Sequence, residues 1–351
     1  MKQIKLIIIG LFISLYASSD TVKVLFIGNS LTYYSDTPEI FRQLSERSGK
    51  DVLVDESLFG GATLAYHSTL WETSTKINSQ KWDYVILQGS SFNVAFPERH
   101  YIIEPTIVTL INRIKENSSE TKIIFFLDWT YRNGVTLWNV HYTYEDFQLM
   151  LMQGARQLSI KLGMMIAPIG WAWNTVVRNR PDIDLFDYDG SHPSYNGAYL
   201  NACVYYSIIF RETLDTGYSG TITYAAANYL QRIGSETVLN NLFLWNLPLS
   251  TSDIYSEGNN EIILSQNYPN PVKQSTRIDY EVFSESDIEL SIFDALGRKV
   301  SEIVNNNHYP GKYSVNWETN TKNLQSAAGI YYIVLNSNNS RLVRKMIVSN
   351  K

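Results

Sequence analysis

A serine and a distant aspartate–histidine pair are the residues of this chain whose types and spacing could do chemistry. Ser30 directly follows the apolar run 22–27, and Asp189 stands three residues before His192. A histidine accepts a proton near neutral pH, and an aspartate bonded to its other nitrogen fixes the tautomer. A serine beside such a base can attack an acyl carbonyl. Taken singly, Ser30 also fits an ordinary turn, and the Asp-x-x-His segment fits a surface loop.

Glycine and polar residues follow the next two apolar runs. A glycine pair ending at Gly61 comes after the run 52–57, and Gln88 and Ser91 come after the run 84–87. A backbone N–H group or a polar side chain at such a position can donate to an oxyanion that develops during acyl transfer. The alternative for the glycine pair is a flexible loop without a ligand.

The elements that must position these residues alternate between short apolar runs and longer amphipathic stretches up to Pro168. The predicted strands are 22–27, 52–57, 84–87, 123–127 and 164–166. Helices are predicted from an N-cap at Thr37, over about 105–116 and over about 144–162. This alternation indicates an α/β domain with a parallel sheet covered on both faces, in which ligands bind at the carboxyl ends of the strands.

The pattern changes after about residue 248. Residues 250–262 are rich in Ser, Asn and Gly and read as a linker. Six short β runs follow, at 276–282, 288–293, 300–304, 313–317, 329–335 and 342–348, separated by turn signals. Short strands with this spacing predict a small antiparallel all-β, Ig-like sandwich as a second domain.

Composition excludes several classes of protein. The chain has 351 residues, a formal net charge of -5 and one cysteine. The acidic balance argues against a nucleic-acid binder that neutralises phosphates, and the single cysteine excludes a disulfide framework and any multi-cysteine zinc site. The abundance of Tyr (24) and Trp (8) argues against a disordered chain.

The first residues have the pattern of a secretory signal peptide. Lys2 and Lys5 precede an apolar run over about 6–17, and small residues follow up to Ser19. The run is too short to span a membrane, so we predict cleavage before Asp20 and no integral membrane span. A buried N-terminal strand is the alternative.

The order of these motifs resembles the SGNH (GDSL-like) hydrolases, a flavodoxin-like three-layer α/β/α fold of esterases and lipases, over about residues 22–210. The resemblance implies that Ser30 is the nucleophile and one oxyanion donor, that His192 is the general base and then the general acid, and that Asp189 orients it. It also implies a second oxyanion donor at the N–H of Gly61, with Gly60 as the fallback.

The third oxyanion donor departs from the family pattern. The family has Gly-x-Asn in its third block, whereas this chain has Gly89-Ser90-Ser91. Ser91 or Gln88 would then donate, or the hole keeps two donors. Losing one donor costs about 2.7–4 kcal/mol of transition-state stabilisation, so the departure is significant.

The C-terminal segment resembles a second family. The stretches 264–271, 276–280, 293–298 and 329–332 are similar to the C-terminal sorting domain of type IX secretion. The resemblance implies export through the periplasm and outer membrane by the type IX machinery, to the cell surface or the medium. A sugar-binding sandwich is the alternative, with Trp317 and Tyr331 as its candidate platform.

Several other residues have two readings. Trp129, Trp171 and Trp173 fit either a pocket mouth that stacks on sugar rings or ordinary core packing. Cys203 is read as a buried small hydrophobe. The remaining cases are Asp184 and Asp187, read as parts of a compact loop rather than metal ligands, and His67, His100 and His141, read as isolated or hydrogen-bonded.

These observations predict four segments: a signal peptide (1–19), an SGNH hydrolase domain (20–249), a linker (250–262) and a sorting domain (263–351). The predicted activity is that of a secreted serine esterase that needs no cofactor or metal, with an acylated, typically acetylated, glycan as its ester substrate. The alternatives are a short-chain lipid or lysophospholipid esterase, and a degenerate surface carbohydrate-binding protein.

Overall fold

The computed structural model describes residues 21–89, 92–242, 244–247, 262–294, 298–321, 324–325, 328–337 and 341–349. The predicted signal peptide, residues 250–261 of the predicted linker, and Ser91 lie outside these described residues.

A five-stranded parallel sheet forms the centre of the first unit. Its strands are β1 (Val22–Gly28), β2 (Val52–Leu58), β3 (Tyr84–Leu87), β4 (Lys122–Phe126) and β7 (Met165–Ala167), in the order β2-β1-β3-β4-β7. A separate hairpin pairs β5 (Val135–Leu137) with β6 (Val140–Tyr142). The predicted parallel strands are confirmed to within two residues at each end, and β3 is confirmed at both ends.

Nine helices lie in the described part of this unit, together with one 3-10 turn at Pro97–Arg99. They are α1 (Ser30–Tyr33), α2 (Thr37–Arg47), α3 (Leu64–Thr69), α4 (Trp71–Asn78), α5 (His100–Asn117), α6 (Tyr144–Leu162), α7 (Ile169–Asn179), α8 (Tyr195–Phe210) and α9 (Tyr224–Leu239). The predicted cap of α2 is wrong by one residue, because Asp36 precedes the helix and Thr37 is its first residue. None of the described helices has both the length and the apolar character that a membrane crossing requires.

The helices form two layers, and the sheet lies between them. One layer contains α2, α7, α8 and α9, and the other contains α3, α4 and α5. The three-layer α/β/α architecture is confirmed. Since β1 lies between β2 and β3, the chain moves first to one side of β1 and then to the other, which opens a crevice at the carboxyl end of β1.

The second unit is an antiparallel sandwich with a core of its own. Its strands are β8 (Ile262–Leu264), β9 (Ser275–Val282), β10 (Ser286–Asp294), β11 (Lys299–His308), β12 (Gly311–Glu318), β13 (Asn320–Thr321), β14 (Leu324–Gln325), β15 (Gly329–Asn336) and β16 (Arg341–Val348). One sheet has the order β11-β10-β15-β16 and the other β12-β9-β8. The predicted sandwich is confirmed, and β8 begins at Ile262, which the sequence assigned to the linker.

Candidate active site

The turn that carries Ser30 is held by Asn29, which is buried between β1 and α1. The N–H of Asn29 donates to Gln88 Oε1 at 2.7 Å, and its Oδ1 accepts from the N–H of Leu31 at 3.1 Å. Its Nδ2 donates to the carbonyl of Ala62 at 2.9 Å. Through its backbone N–H and its side chain, Asn29 therefore ties together the loops that follow β1, β2 and β3.

Close packing before this turn requires glycine at position 28. A Cβ there would lie 2.5 Å from Gln88 Oε1, which is inside van der Waals contact. The buried ring of His67 lies against the same residue, with Nε2 2.9 Å from the carbonyl of Gly28 and Nδ1 2.8 Å from Thr73 Oγ1. Burial lowers the pKa of His67, so the neutral ring donates from Nε2 and accepts at Nδ1. His67 is therefore a hydrogen-bonded structural histidine, as predicted.

Asp189 organises the loop 185–194 around its carboxylate. Its Oδ1 accepts from the N–H groups of Ser191 at 2.8 Å and His192 at 2.9 Å, and its Oδ2 lies 2.5 Å from His192 Nδ1. Partial burial pushes the pKa of Asp189 upward, but these hydrogen bonds outweigh it and lower the pKa to about 2. Asp189 is therefore ionised throughout the neutral range.

The loop 185–194 is held from outside by the segment that follows β4. The N–H of Arg132 donates to the carbonyl of Gly190 at 2.9 Å, and Trp129 Nε1 donates to the carbonyl of Ser191 at 2.9 Å. The ring of Trp129 stacks on that of Trp173 at a centroid distance of 3.9 Å. These contacts fix the backbone at Gly190 and Ser191, directly before His192.

The fold brings Ser30 and His192 together across 162 positions of sequence, with Oγ 2.9 Å from Nε2. Because the ionised carboxylate of Asp189 can only accept, Nδ1 of His192 carries its proton and donates to it. Nε2 is then free to accept from the hydroxyl of Ser30. The three residues form one hydrogen-bonded chain in which a proton can pass from Ser30 to His192.

The structure gives different information about each of the predicted oxyanion donors that it describes: Ser30, Gly61 and Gln88. Ser30 is the first residue of α1, so its N–H has no acceptor within the helix. Gly61 adopts a left-handed φ of 68°, and the neighbouring Ala62 is bound to Asn29. The Gln88 side chain is buried and accepts from Asn29, with its Nε2 3.5 Å from the carbonyl of Gly89. This assigns Gln88 to holding the turn, while its role as a donor, like that of Gly61, stays a prediction.

Trp173 is buried in the core, as the core-packing reading predicts, whereas Trp129 is buried against it and also lines a cavity of the site. Their large flat rings fill the space under the loop 185–194. Exposed tyrosines take the outer positions: Tyr66 on α3, Tyr131 after β4 and Tyr188 in the loop 185–194 are 48%, 42% and 91% exposed. We call these three the tyrosine rim. The sequence reasoning missed it, because exposure cannot be read from residue type.

Two cavities lie at this edge of the sheet. The smaller is lined by Leu31 and Ser191, the sequence neighbours of Ser30 and His192, together with Phe92, Trp129, Thr130 and Tyr131. The larger, of about 260 Å³, lies between α3 and α5 and includes Thr63 and Gly89, which follow the second and third strands. Its walls are mainly apolar: Leu64, Ala65, Val94, Ile102, Ile103, Ile107 and Phe125.

Asp128, which follows β4, and Cys203, which lies in α8, are buried ionisable groups. Both carboxyl oxygens of Asp128 lack a hydrogen-bond partner among the described residues, and burial raises its pKa well above the usual range. Burial also raises the pKa of the Cys203 thiol, which is a core residue as predicted. Asp184 pairs with the guanidinium of Arg132 at 2.9 Å. No cluster of potential metal ligands occurs within the part of the chain that the structure describes.

The comparisons with known proteins agree with this division into two units. Residues 266–349 match the family of secretion system C-terminal sorting domains. Among solved structures, the first unit is similar to a DUF4886 family protein from Bacteroides uniformis, with 20% identity and a TM-score of 0.55 over 63% of this chain and 95% of that one. This likeness shows the fold. A comparison with curated proteins finds no match.

Two further solved structures have lower TM-scores. A protein from Slackia heliotrinireducens assigned as an SGNH hydrolase has 24% identity and a TM-score of 0.43, covering 52% of this chain and 96% of that one. An acetylxylan esterase from Geobacillus stearothermophilus has 18% identity and a TM-score of 0.36, covering 52% and 93%.

The chain thus combines a three-layer α/β fold, similar to that of the DUF4886 family protein, with a C-terminal segment that matches secretion system C-terminal sorting domains. The sorting domain marks the chain for type IX export, to the cell surface or beyond it.

Proposed function

We propose that the protein is a serine esterase that acts through an acyl-enzyme. The observation that carries the proposal is the hydrogen-bonded chain from Ser30 through His192 to Asp189. Ser30 Oγ attacks the ester carbonyl carbon while its proton moves to His192 Nε2. The tetrahedral intermediate then collapses, the bond to the alcohol oxygen breaks, and the proton on Nε2 passes to the departing alcohol.

In the second half of the reaction, water hydrolyses the acyl-enzyme, and the same groups take part. His192 Nε2 takes a proton from water as the water oxygen attacks the acyl carbon, and it returns that proton to Ser30 Oγ as the acid leaves. Asp189 stays ionised and stabilises the imidazolium that forms in both halves of the reaction. The net change is one ester and one water converted to one acid and one alcohol.

The negative charge on the carbonyl oxygen needs donors at the carboxyl edge of the sheet. We assign the N–H of Ser30 and the N–H of Gly61 to this task. Asn29 supports the assignment, since it connects the two loops through its bond to Ala62. A third donor would come from Ser91 or from Gln88.

We propose a carbohydrate O-acyl ester, such as an acetyl ester, as the substrate. Two tyrosines of the rim support this choice: Tyr131 lines the smaller cavity and Tyr188 precedes Asp189, and exposed aromatic faces at such positions suit the apolar face of a sugar ring. Export supports it as well: the predicted signal peptide and the sorting domain would deliver the enzyme to polymers outside the cell.

A lipid-type ester is the second candidate, and the cavity between α3 and α5 favours it. An acetyl group does not need an apolar space of about 260 Å³ beside the oxyanion loops, whereas an acyl chain of several carbons would fill it. The two candidates differ in the acyl part that they accept, so a chain-length series separates them.

Active-site labelling tests the nucleophile first. A fluorophosphonate probe is expected to label the wild-type protein, and to fail with Ser30→Ala. Equal labelling of Ser30→Ala would overturn the assignment, and absence of labelling in the wild type would favour a degenerate carbohydrate-binding protein. His192→Ala should also lose hydrolysis, and near-wild-type turnover by this variant would exclude it as the base.

Substrate panels then separate the candidates. Acetate release from acetylated glycans is measured beside hydrolysis of 4-nitrophenyl esters of increasing acyl length. A preference for acetylated glycans supports the first candidate, and a rise in kcat/KM with chain length supports the second. Ala65→Phe would narrow the cavity between α3 and α5, and it should lower only the activity on longer chains.

A further inference from the structure

The ring of Tyr34 covers one face of the His192 imidazole. The two rings are stacked, with centroids 4.4 Å apart and planes inclined by 24°. Tyr34 is the C-cap residue directly after α1, and its N–H donates to the carbonyl of Ser30 at 2.9 Å. The turn that carries the nucleophile therefore also carries the ring that packs on the base.

Two further contacts join this turn to the loop 185–194. The carboxylate of Asp187 acts on the hydroxyl of Tyr34 and is the largest of the causes that raise the pKa of Tyr34 to about 12. The hydroxyl of Ser35 donates to the carbonyl of Pro193 at 2.8 Å. Tyr34 is thus held at its hydroxyl end and through its neighbour, with its ring against His192.

We propose that Tyr34 is a positioning residue for the esterase reaction, one that holds the His192 ring towards Ser30 and stabilises its protonated form by a cation–π contact. The inference rests on the proposed function, since it assigns Tyr34 a part in that chemistry. An imidazolium within about 6 Å of a tyrosine centroid is attracted to the electron-rich face of the ring.

Among the described residues, the polar and charged groups around Tyr34 and His192 lie in the turn after β1, in the loop 185–194 and in the segment after β4. Asp189 faces Nδ1 of His192, and Ser30 faces Nε2. Asp187, Tyr188 and Asp189 act on the Tyr34 hydroxyl. Arg132 approaches the same loop, but its guanidinium is bound to Asp184 and to the carbonyls of Phe186 and Asp187.

Two variants of Tyr34 separate the ring from the hydroxyl. Tyr34→Phe loses the hydroxyl that interacts with Asp187 but keeps the stacked ring. Because the proposed role belongs to the ring, this variant should keep most of the wild-type kcat. Tyr34→Leu removes the ring. A cation–π contact of this exposure corresponds to a two- to fivefold effect, so kcat should fall about two- to fivefold with little change in KM. Tyr224→Leu, which removes an exposed tyrosine at the start of α9, is the matched control.

A pH titration of the protein measures a midpoint that a purely structural role of Tyr34 would leave unchanged. In Tyr34→Leu the midpoint of the acid limb of kcat/KM, and of the His192 signal followed by NMR, should move about 0.4–0.7 pH unit downward, because the imidazolium is less stabilised. Tyr34→Phe should titrate like the wild type. The signal of His192 is assigned by its absence in His192→Gln.

The outcomes distinguish this inference from the proposed function. An unchanged midpoint in Tyr34→Leu, or equal effects of the Phe and Leu variants, overturns the role of the ring. The NMR titration does not require turnover. A wild type that fails to hydrolyse esters would therefore refute the proposed function, while a downward NMR midpoint would still establish the contact between Tyr34 and the imidazolium.

Discussion

Replacing Asp128 by asparagine is expected to stabilise the protein, and to do so more as the pH rises. Asp128 follows β4, is buried, and has no hydrogen-bond partner for its carboxyl oxygens among the described residues. Burial raises its pKa well above the ordinary value, so the native state keeps a proton that the unfolded chain releases above about pH 3.9. The stability that this proton provides is therefore fully present in acid, and it is lost as the pH rises towards the pKa of the folded state.

The size of the effect follows from proton linkage. Each pH unit within this window removes about 1.4 kcal/mol from the free energy of unfolding, so two units remove about 2.7 kcal/mol. Asparagine has nearly the same shape and no proton to lose. The difference between Asp128→Asn and the wild type should thus grow with pH above about pH 4, by at most about 1.4 kcal/mol per pH unit, until the pH reaches the pKa of the folded state.

Urea unfolding at pH 4, 5 and 6, followed by tryptophan fluorescence, measures this difference. Seven of the eight tryptophans precede residue 250, so the signal reports mainly on the α/β unit. Asp215→Asn, on an exposed loop after α8, is the control and should show no growing difference. A difference for Asp128→Asn that stays constant or reverses with pH would mean that the carboxyl is ionised and bonded, which would refute the reasoning.

Three further predictions concern the loops that present the site. Asp189→Asn should reduce kcat roughly 10³–10⁴-fold, because an amide favours the His192 tautomer that cannot accept from the serine. Since the pKa of Asp189 is about 2, protonation of this carboxylate should cause no loss of activity between pH 4 and 8. Gly61→Ala should lower the free energy of unfolding by about 1–2 kcal/mol, since its φ of 68° is costly for alanine. If the N–H of Gly61 is an oxyanion donor, the loss of transition-state stabilisation calculated from kcat/KM should exceed this loss in the free energy of unfolding. Trp129→Phe loses the bond to Ser191 at 2.9 Å and should cost about 0.5–1.5 kcal/mol in urea unfolding, with a lower kcat at unchanged KM.

The parallel strands could be predicted from the sequence because both of their faces are buried. Such strands appear as short continuous apolar runs, and β3 was predicted at its exact bounds. Helix α8 was harder, because it is buried on almost all sides and lacks an amphipathic period. The β5–β6 hairpin is not predicted from the sequence: its turn uses Trp138 and Asn139 at positive φ, so no glycine marks it.

The residues of the candidate site could be found by type and spacing, but their partners could not. Ser30, Asp189 and His192 stand out because few residue types act as nucleophile, carboxylate and base. Gln88 is predicted, with Ser91, as an alternative oxyanion donor, and that role stays a prediction; the sequence does not reveal that its Oε1 accepts from the N–H of Asn29. Which atom of an amide faces which loop depends on packing that no local pattern records.

The described contacts divide the site into two halves that meet at a short segment. Asn29 binds the loops after β1, β2 and β3 into the half that holds the nucleophile and the proposed oxyanion donors. Trp129 and Arg132 bind the loop 185–194 into the half that holds the base. Hydrogen bonds across the boundary come from residues 30–35, which carry the serine, the stacked tyrosine and the hydroxyl that binds Pro193. A small displacement within this segment would change the distance between nucleophile and base while leaving both halves intact. Activity should therefore be more sensitive than stability to substitutions there.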